Sequence, residues 1–271
     1  MTEACKFLLE YEDSRVIAGG TDLLVEKNPR IRYLVDISKL NLDFIEVDDE
    51  HIRIGACTSF RRIEKDNALK NQPYSSLVEA ARTIGGVAIR NQATIGGNLC
   101  NAVPSADSPP PLMVLDSKVK IVSPEGERIV PIENFFEYVR KTDLRRGEIV
   151  TEIQIPKPRT RSGTSFIKLG RAADDISVVN VAARVTLGDG RELWDARLVL
   201  GAVAPVPLRA KKAEEQLMRE GIESISEVAR VAAGEARPIS DVRASAEYRR
   251  DMCRVLSERA LKIALDRAEA S

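Results

Sequence analysis

The sequence runs to 271 residues, 44% hydrophobic and 30% charged, which describes a folded chain of one large domain or two ordinary ones and excludes a disordered one. Forty-one basic residues balance 41 acidic ones, leaving no electrostatic footprint for a nucleic-acid backbone or an anionic membrane. No apolar run approaches the ~18 residues of a membrane span, and the opening MTEACKFLLEYED carries acids where a secretory signal carries bases, so a cytoplasmic protein is expected.

Thr2 to about Tyr11 has the spacing of a short amphipathic helix. RVIAGG then reads as a β-rich strand closing on a glycine pair, and TDLLVEKN as a helix opening at Thr21. RYLVDIS, DFIEVDD and HIRIGA are three short strands; SFRRIEKD and YSSLVEAARTI are helices, the second begun by a serine cap. KVKIVS and ERIVPIENFF are β-like segments joined at Pro124-Glu125-Gly126, and the alternating isoleucines of EIVTEIQIP predict a further strand. The basic, turn-rich KPRTRSG, Lys157 to Gly163, predicts a domain boundary that divides the chain into 1–156 and 163–271. Beyond it VVNVAARVTLGDGRELWDARLVLGAV predicts a long hairpin turning at Gly188-Asp189-Gly190, with Trp194 as a core or cross-strand packing residue. Two helices follow, and the second draws one buried stripe through Met252, Val255, Leu256, Ala260, Ile263 and Ala264.

Side chains for acid–base or metal chemistry are sparse. The single histidine, His51, lies on a strand with no nearby partner and supports little catalysis. Cys5, Cys57, Cys100 and Cys253 are scattered, with no C-x-x-C spacing for zinc, an iron–sulfur cluster or a dithiol, so metal chemistry is expected in another chain.

All three Gly-Gly pairs, Gly19-Gly20, Gly85-Gly86 and Gly96-Gly97, fall before residue 100, although nine of the 16 glycines come after it. Paired glycines admit dihedrals closed to other residues, expose successive N–H groups and let a ligand approach without a Cβ in the way. The loops at Gly19-Gly20 and Gly96-Gly97 contain no lysine or arginine, so an anion there would be held by amides and by the hydroxyls of Thr21 and Thr94. The bland alternative is that the pairs only make tight turns. There is no P-loop, and no G-x-G-x-x-G follows a strand.

Together, VIAGGTDLL and RNQATIGGNLCNAVPSADSPPPLMVLD resemble the two FAD loops of the flavoprotein, or medium, subunit of molybdenum hydroxylases. This is the family of the carbon monoxide dehydrogenase, xanthine dehydrogenase and 4-hydroxybenzoyl-CoA reductase flavoproteins. FIKLGRAADDISVVNVAARV and DVRASAEYRRDMCRVLSERAL resemble that family's C-terminal signatures, in the expected order. The resemblance implies an α+β fold: a two-part FAD-binding domain of the vanillyl-alcohol-oxidase (PCMH) type, then a smaller C-terminal domain of antiparallel sheet plus helices.

Carried over residue by residue, the resemblance implies a first cofactor loop of Val16, Ile17, Ala18, Gly19, Gly20, Thr21, Asp22 and Leu23. It implies a second of Thr94, Ile95, Gly96, Gly97 and Asn98. These clasp the FAD pyrophosphate and ribityl region in the family. Asp107 matches an acidic position beside the cofactor, and Ile84 and Val150 match apolar contacts. Lys168 matches a lysine near the flavin ring, where a cation stabilises the negative charge of reduced flavin. On the residues alone, Asp107 could equally close a turn and Lys168 could be a solvated strand lysine. Cys100 sits inside the second motif, as small-residue packing or near the cofactor.

The function implied is an FAD-containing electron-transfer subunit. Substrate would be hydroxylated at a molybdenum cofactor in a molybdopterin-binding large subunit, electrons would pass through 2Fe-2S clusters in a small subunit, and the flavin would hand them to NAD, a quinone, ferredoxin or oxygen. The partners imply a heterotrimer. Two alternatives stay open: a self-sufficient FAD oxidoreductase of the same fold, and a nucleotide-binding domain without redox activity. The chain starts almost at its first helix, where the family usually has an extra strand with an aromatic-x-x-Pro stretch; an open sheet edge or a weaker subunit contact is expected, and with it weaker flavin retention by the isolated chain.

Overall fold

The computed structural model describes residues 1–157 and 161–271. Helix α1 (Thr2–Glu10) turns Cys5 and Leu8 inward and leads to strand β1 (Ser14–Ile17). A glycine turn and the one-turn helix α2 (Leu23–Glu26) follow, and β2 (Tyr33–Asp36) returns parallel to β1. Next come β3 (Ile45–Val47) and β4 (His51–Gly55). Six short helices then run in succession: α3 (Phe60–Lys65), α4 (Asn67–Lys70), α5 (Ser75–Thr83), α6 (Val87–Gln92), α7 (Ile95–Asn101) and α8 (Pro109–Val114). Strands β5 (Lys118–Ser123), β6 (Gly126–Pro131), β7 (Phe136–Tyr138), β8 (Lys141–Thr142) and β9 (Ile149–Pro156) complete the first part. The second holds β10 (Ser162–Leu169), β11 (Val179–Leu187), β12 (Leu193–Gly201), β13 (Leu208–Arg209), α9 (Lys211–Glu220), α10 (Ile225–Glu235) and α11 (Ala246–Glu269).

A five-stranded antiparallel sheet, β3-β4-β9-β5-β6, centres on β9. Its register sets Ile54 and Val119 on either side of Ile153, so the alternating isoleucines of β9 meet apolar partners from both neighbours. The second sheet, β10-β11-β12-β13, is also antiparallel. All nine residues of β11 are buried because both faces of this sheet are covered. Phe166, Ala182 and Val199 face α5 and α8 and join the core of the first part, whereas Val181, Ala183, Leu198 and Leu200 pack in the second core. One sheet thus belongs to both cores and fixes β10 against the helices of the first part.

Several local expectations are corrected. The helix expected to open at Thr21 is a single turn starting at Leu23, with Asp22 at its N-cap, so its dipole is short. The serine cap sits on α3, two helices before α5: Ser59 accepts from the Arg62 N–H, while α5 starts after Tyr74 with no side-chain cap. ERIVPIENFF breaks at Pro131 into a turn of 3-10 helix, Ile132–Asn134, before β7. Three helices, not two, close the chain, with α9 and α10 split at Gly221, whose φ is +79°. The stripe on α11 runs through Arg249, Cys253, Leu256, Ser257, Ala260, Leu261, Ala264 and Ala268, leaving Met252, Val255 and Ile263 half-buried at its edges. Small residues lie inward there because β10 comes very close: a Cβ on Gly163 would stand 2.1 Å from the Ala264 carbonyl oxygen. Trp194 is exposed near the start of β12, and its indole N–H donates to Glu192 at 2.8 Å. The hairpin itself forms as expected. The boundary expected at Lys157 to Gly163 falls partly on residues 158–160, which lie outside the described residues, and β10 begins at Ser162.

Candidate functional site

A cleft of about 990 Å³ opens between the first glycine turn, α6, α7, the start of β9 and the end of β10. It lies at the upper end of the size range of small-molecule sites. Every predicted site residue lines it except Ile95, which is fully buried in the core behind α7.

The first loop leaves the end of β1. Gly19 packs so tightly that a Cβ there would stand 1.9 Å from the Gln92 carbonyl oxygen, and Gly20 holds a φ of +68°, which favours glycine. Among the described residues, no protein acceptor meets the N–H groups of Gly19, Gly20, Thr21 or Asp22. Successive unpartnered donors in a cleft wall have the chemistry that suits an anion.

The second loop works differently from the expectation. Gly96 and Gly97 lie inside α7, in helical backbone, so they serve close approach and not special dihedrals. A Cβ on Gly96 would stand 2.7 Å from Ala56. The N–H groups of Ile95, Gly96, Gly97 and Asn98 donate to Thr58 O, Ala56 O, Thr94 Oγ1 and Thr94 O. The α7 start therefore offers the cleft a surface free of side chain at Gly97 and the Asn98 side chain, whose Oδ1 accepts from Ser108 Oγ at 2.6 Å. Thr94 is the cap of that helix.

The third glycine pair supports the cleft from one side. Gly85, with φ +46°, and Ile84 present their carbonyls to Arg90 Nη1 at 2.6 and 3.3 Å. Arg90 Nε reaches Glu64 Oε2 at 3.2 Å, and Arg61 Nη1 reaches the same oxygen at 2.9 Å. Burial opposes the charge on Glu64, but the two guanidinium groups outweigh it and hold the carboxyl below its ordinary range.

Lys168 and Asp107 form a buried ion pair at 2.7 Å, with side chains 7% and 5% exposed. Lys168 Nζ also donates to Thr83 O at 2.8 Å, while Asp107 accepts from Ser177 Oγ and Asn180 Nδ2. Lys168 is thus not a solvated strand lysine, and Asp107 does more than close a turn.

Sequence reading missed the arginines. Arg15, Arg140, Arg145 and Arg146 all line the cleft, brought there by β1, by the turn between β7 and β8, and by the segment from β8 to β9. Arg140 donates to Asn101 Oδ1 at 2.9 Å and pairs with Glu26, which ties this segment to α7 and α2. Burial opposes the charge on Glu148 too, but Arg128 and the Arg145 N–H keep its carboxyl low. The pair Arg145-Arg146 directly before a predicted strand was the available signal. Cys100 is open to the cleft yet ringed by protein, and this desolvation pushes its thiol up to about 12.

A family model described as the FAD binding domain in molybdopterin dehydrogenase matches residues 1–158, and the CO dehydrogenase flavoprotein C-terminal domain matches 164–264. The chain belongs to the molybdopterin dehydrogenase FAD-binding family. It is 32% identical to the xanthine dehydrogenase FAD-binding subunit of Escherichia coli O157:H7, over 98% of this chain and 93% of that one. It is 31% identical to the carbon monoxide dehydrogenase medium chain of Afipia carboxidovorans, over 95% and 91%. The structure of carbon monoxide dehydrogenase from Hydrogenophaga pseudoflava superposes with a TM-score of 0.92 at 29% identity, covering 98% of this chain and 94% of that one. The two-part α+β fold expected from the sequence is therefore the family's fold, and the chain is the FAD subunit of a molybdenum hydroxylase, an oxidoreductase flavoprotein.

The residues present fit FAD. Unpartnered amides at Gly19 to Asp22 suit a pyrophosphate, the bare surface at Gly97 admits close approach, and Ile84 and Val150 give the same cleft apolar wall. Among the described residues there is no cluster of His, Cys, Asp or Glu that could hold a metal, and no helix is long and apolar enough to cross a membrane.

Proposed function

We propose that this chain relays electrons in a three-subunit molybdenum hydroxylase, taking them from 2Fe-2S clusters of a small subunit and passing them to an acceptor such as NAD, a quinone or oxygen. A molybdopterin-binding large subunit would carry the hydroxylation. The medium-chain relatives and the carbon monoxide dehydrogenase structures support this arrangement. Bound FAD would supply the exchange between one-electron and two-electron carriers.

The chain's own residues would bind and orient. Val16 to Leu23 would hold the pyrophosphate on backbone donors, and Thr94 to Asn98 would pack α7 against the ribityl region. Ile84 and Val150 would flank the cofactor. Lys168 would set a cation near the flavin, moderated by Asp107. In this reading 1–156 is the FAD-binding domain and 163–271 the C-terminal one. The carrying observation is the run of unpartnered N–H groups from Gly19 to Asp22 in the wall of a cleft large enough for a dinucleotide.

The test is to co-express the chain with a molybdopterin-binding large subunit and a 2Fe-2S small subunit, purify the complex, and follow flavin bleaching after reduction of the clusters in a rapid-mixing instrument. The proposal expects cluster reduction to precede flavin reduction, and an added acceptor to reoxidise the flavin. Substrate turnover by the isolated chain at the rate of the complex would contradict it.

A further inference from the structure

Behind the Lys168–Asp107 pair lies a row of three cross-strand neighbours. Lys168 on β10 is opposite Asn180 on β11, and Asn180 is opposite Gly201 on β12. Directly opposed residues share a sheet face, so the three stand side by side. Asn180 is fully buried, and its Nδ2 donates to Asp107 Oδ1 at 2.8 Å and to Ser177 Oγ at 3.1 Å. Ser177 Oγ, also fully buried, donates to the same Asp107 oxygen at 2.5 Å. The two carboxylate oxygens therefore have separate duties: Oδ1 is anchored by Ser177 and Asn180, and Oδ2 takes Lys168 at 2.7 Å with a longer contact from Thr83 Oγ1 at 3.4 Å.

The other end of the Asn180 amide explains the glycine. Asn180 Oδ1 has no hydrogen-bond donor, although it is buried. It lies against Gly201, where a Cβ would stand 2.0 Å from Oδ1 and 2.8 Å from Cγ. Turning the amide over would set Oδ1 against the Asp107 carboxylate and Nδ2 against Gly201, so Asp107 fixes the amide's orientation, while the place of the side chain itself leaves no room for a Cβ at position 201. An unsatisfied buried oxygen is costly, which indicates that its position is enforced from the donor side.

We infer that Asn180 is a positioning residue that fixes the Asp107 carboxylate against Lys168, and that Gly201 supplies the space it needs. The consequence for the flavin rests on the FAD reading of the cleft; the positioning itself does not. With Asp107 anchored, the Lys168 ammonium is tied down and largely neutralised. With Asp107 loosened, the ammonium acts as a freer cation at the cleft wall.

The test uses the full chain with Asn180→Ala, and with Gly201→Ala, which displaces the amide without removing it. Acetylation of Lys168 by acetic anhydride is measured by peptide mass spectrometry, with exposed Lys39 as the internal standard, after melting curves show that each variant folds. Losing the anchoring hydrogen bond should raise the relative acetylation of Lys168 about fivefold in both variants. Should either fail to fold, Ser177→Ala replaces it, with an increase in the same direction. Unchanged Lys168 reactivity in the folded variants overturns the inference. On FAD-loaded protein, the flavin midpoint potential should also rise in Gly201→Ala. A wild-type chain that takes up no FAD, alone or in its complex, defeats the cofactor reading and leaves the acetylation result to decide the inference.

Discussion

Gly19 touches Gln92: a side chain on the glycine would have its Cβ 1.9 Å from the Gln92 carbonyl oxygen. This contact joins the turn after β1 to the last residue of α6, two residues before the Thr94 cap of α7, so one missing methyl sets the spacing of the two loops that line the cleft. Gly19→Ala should push the loops apart, destabilise the chain by about 1–3 kcal/mol as overpacking does, and weaken FAD binding further than the melting temperature alone explains. Calorimetric titration with FAD beside a thermal melt checks it.

Arg90 acts as a strut. It holds the Ile84 and Gly85 carbonyls and is itself held by Glu64. Glu64→Gln should lower FAD affinity with only a small change in fold. Its effect should depend on pH: the folded carboxyl titrates below its unfolded range, so the ion pairs stabilise the protein above that range and are lost as pH falls through it. The acid limb of the stability profile of Glu64→Gln should therefore be shallower than that of the wild type.

Lys168 and Asp107 should couple strongly. Removing one partner of a buried pair leaves the other charge stranded, at a cost of about 3–5 kcal/mol. Asp107 keeps its bonds from Ser177 and Asn180, which moves the expected loss for Lys168→Met toward the lower figure. The double variant Lys168→Met with Asp107→Asn should recover much of it. Additive losses in urea melts would argue against a coupled pair.

The thiols should be inert near neutral pH. Desolvation raises Cys57 to about 11 and buried Cys253 to about 12, and it raises Cys100 as well, so little thiolate is present for alkylation. The folded state keeps protons that the unfolded chain loses, so these residues withdraw stability as pH rises from about 9 toward 12. Iodoacetamide labelling at about pH 8 should be slow in the folded chain, and FAD should slow it further at Cys100 alone.

Much of this was legible in the sequence because its signals are local. Strand, glycine pair and turn are written consecutively at RVIAGG, and the β11–β12 hairpin carries its turn at Gly188-Asp189-Gly190. The resemblance to the flavoprotein family supplied the site residues, and almost all of them meet in one cleft. What could not be read depended on partners distant in sequence. Thr94, Gly96 and Gly97 looked like an amide-rich loop, yet Ala56, Thr58 and Thr94 take the donors at the start of α7. The two loops lack basic residues, but Arg140, Arg145 and Arg146 reach the same cleft from a segment about forty residues further on. Trp194 was expected as a core or cross-strand packing residue; it is not core, being 44% exposed with its indole N–H on Glu192.

The most direct test of the account is the visible spectrum of the purified chain before and after incubation with FAD and desalting, with the released cofactor identified by mass. The account predicts bands at about 370 and 450 nm with about one FAD per chain, in the isolated protein or in its assembled complex. A complex that stays colourless after incubation with FAD would contradict it.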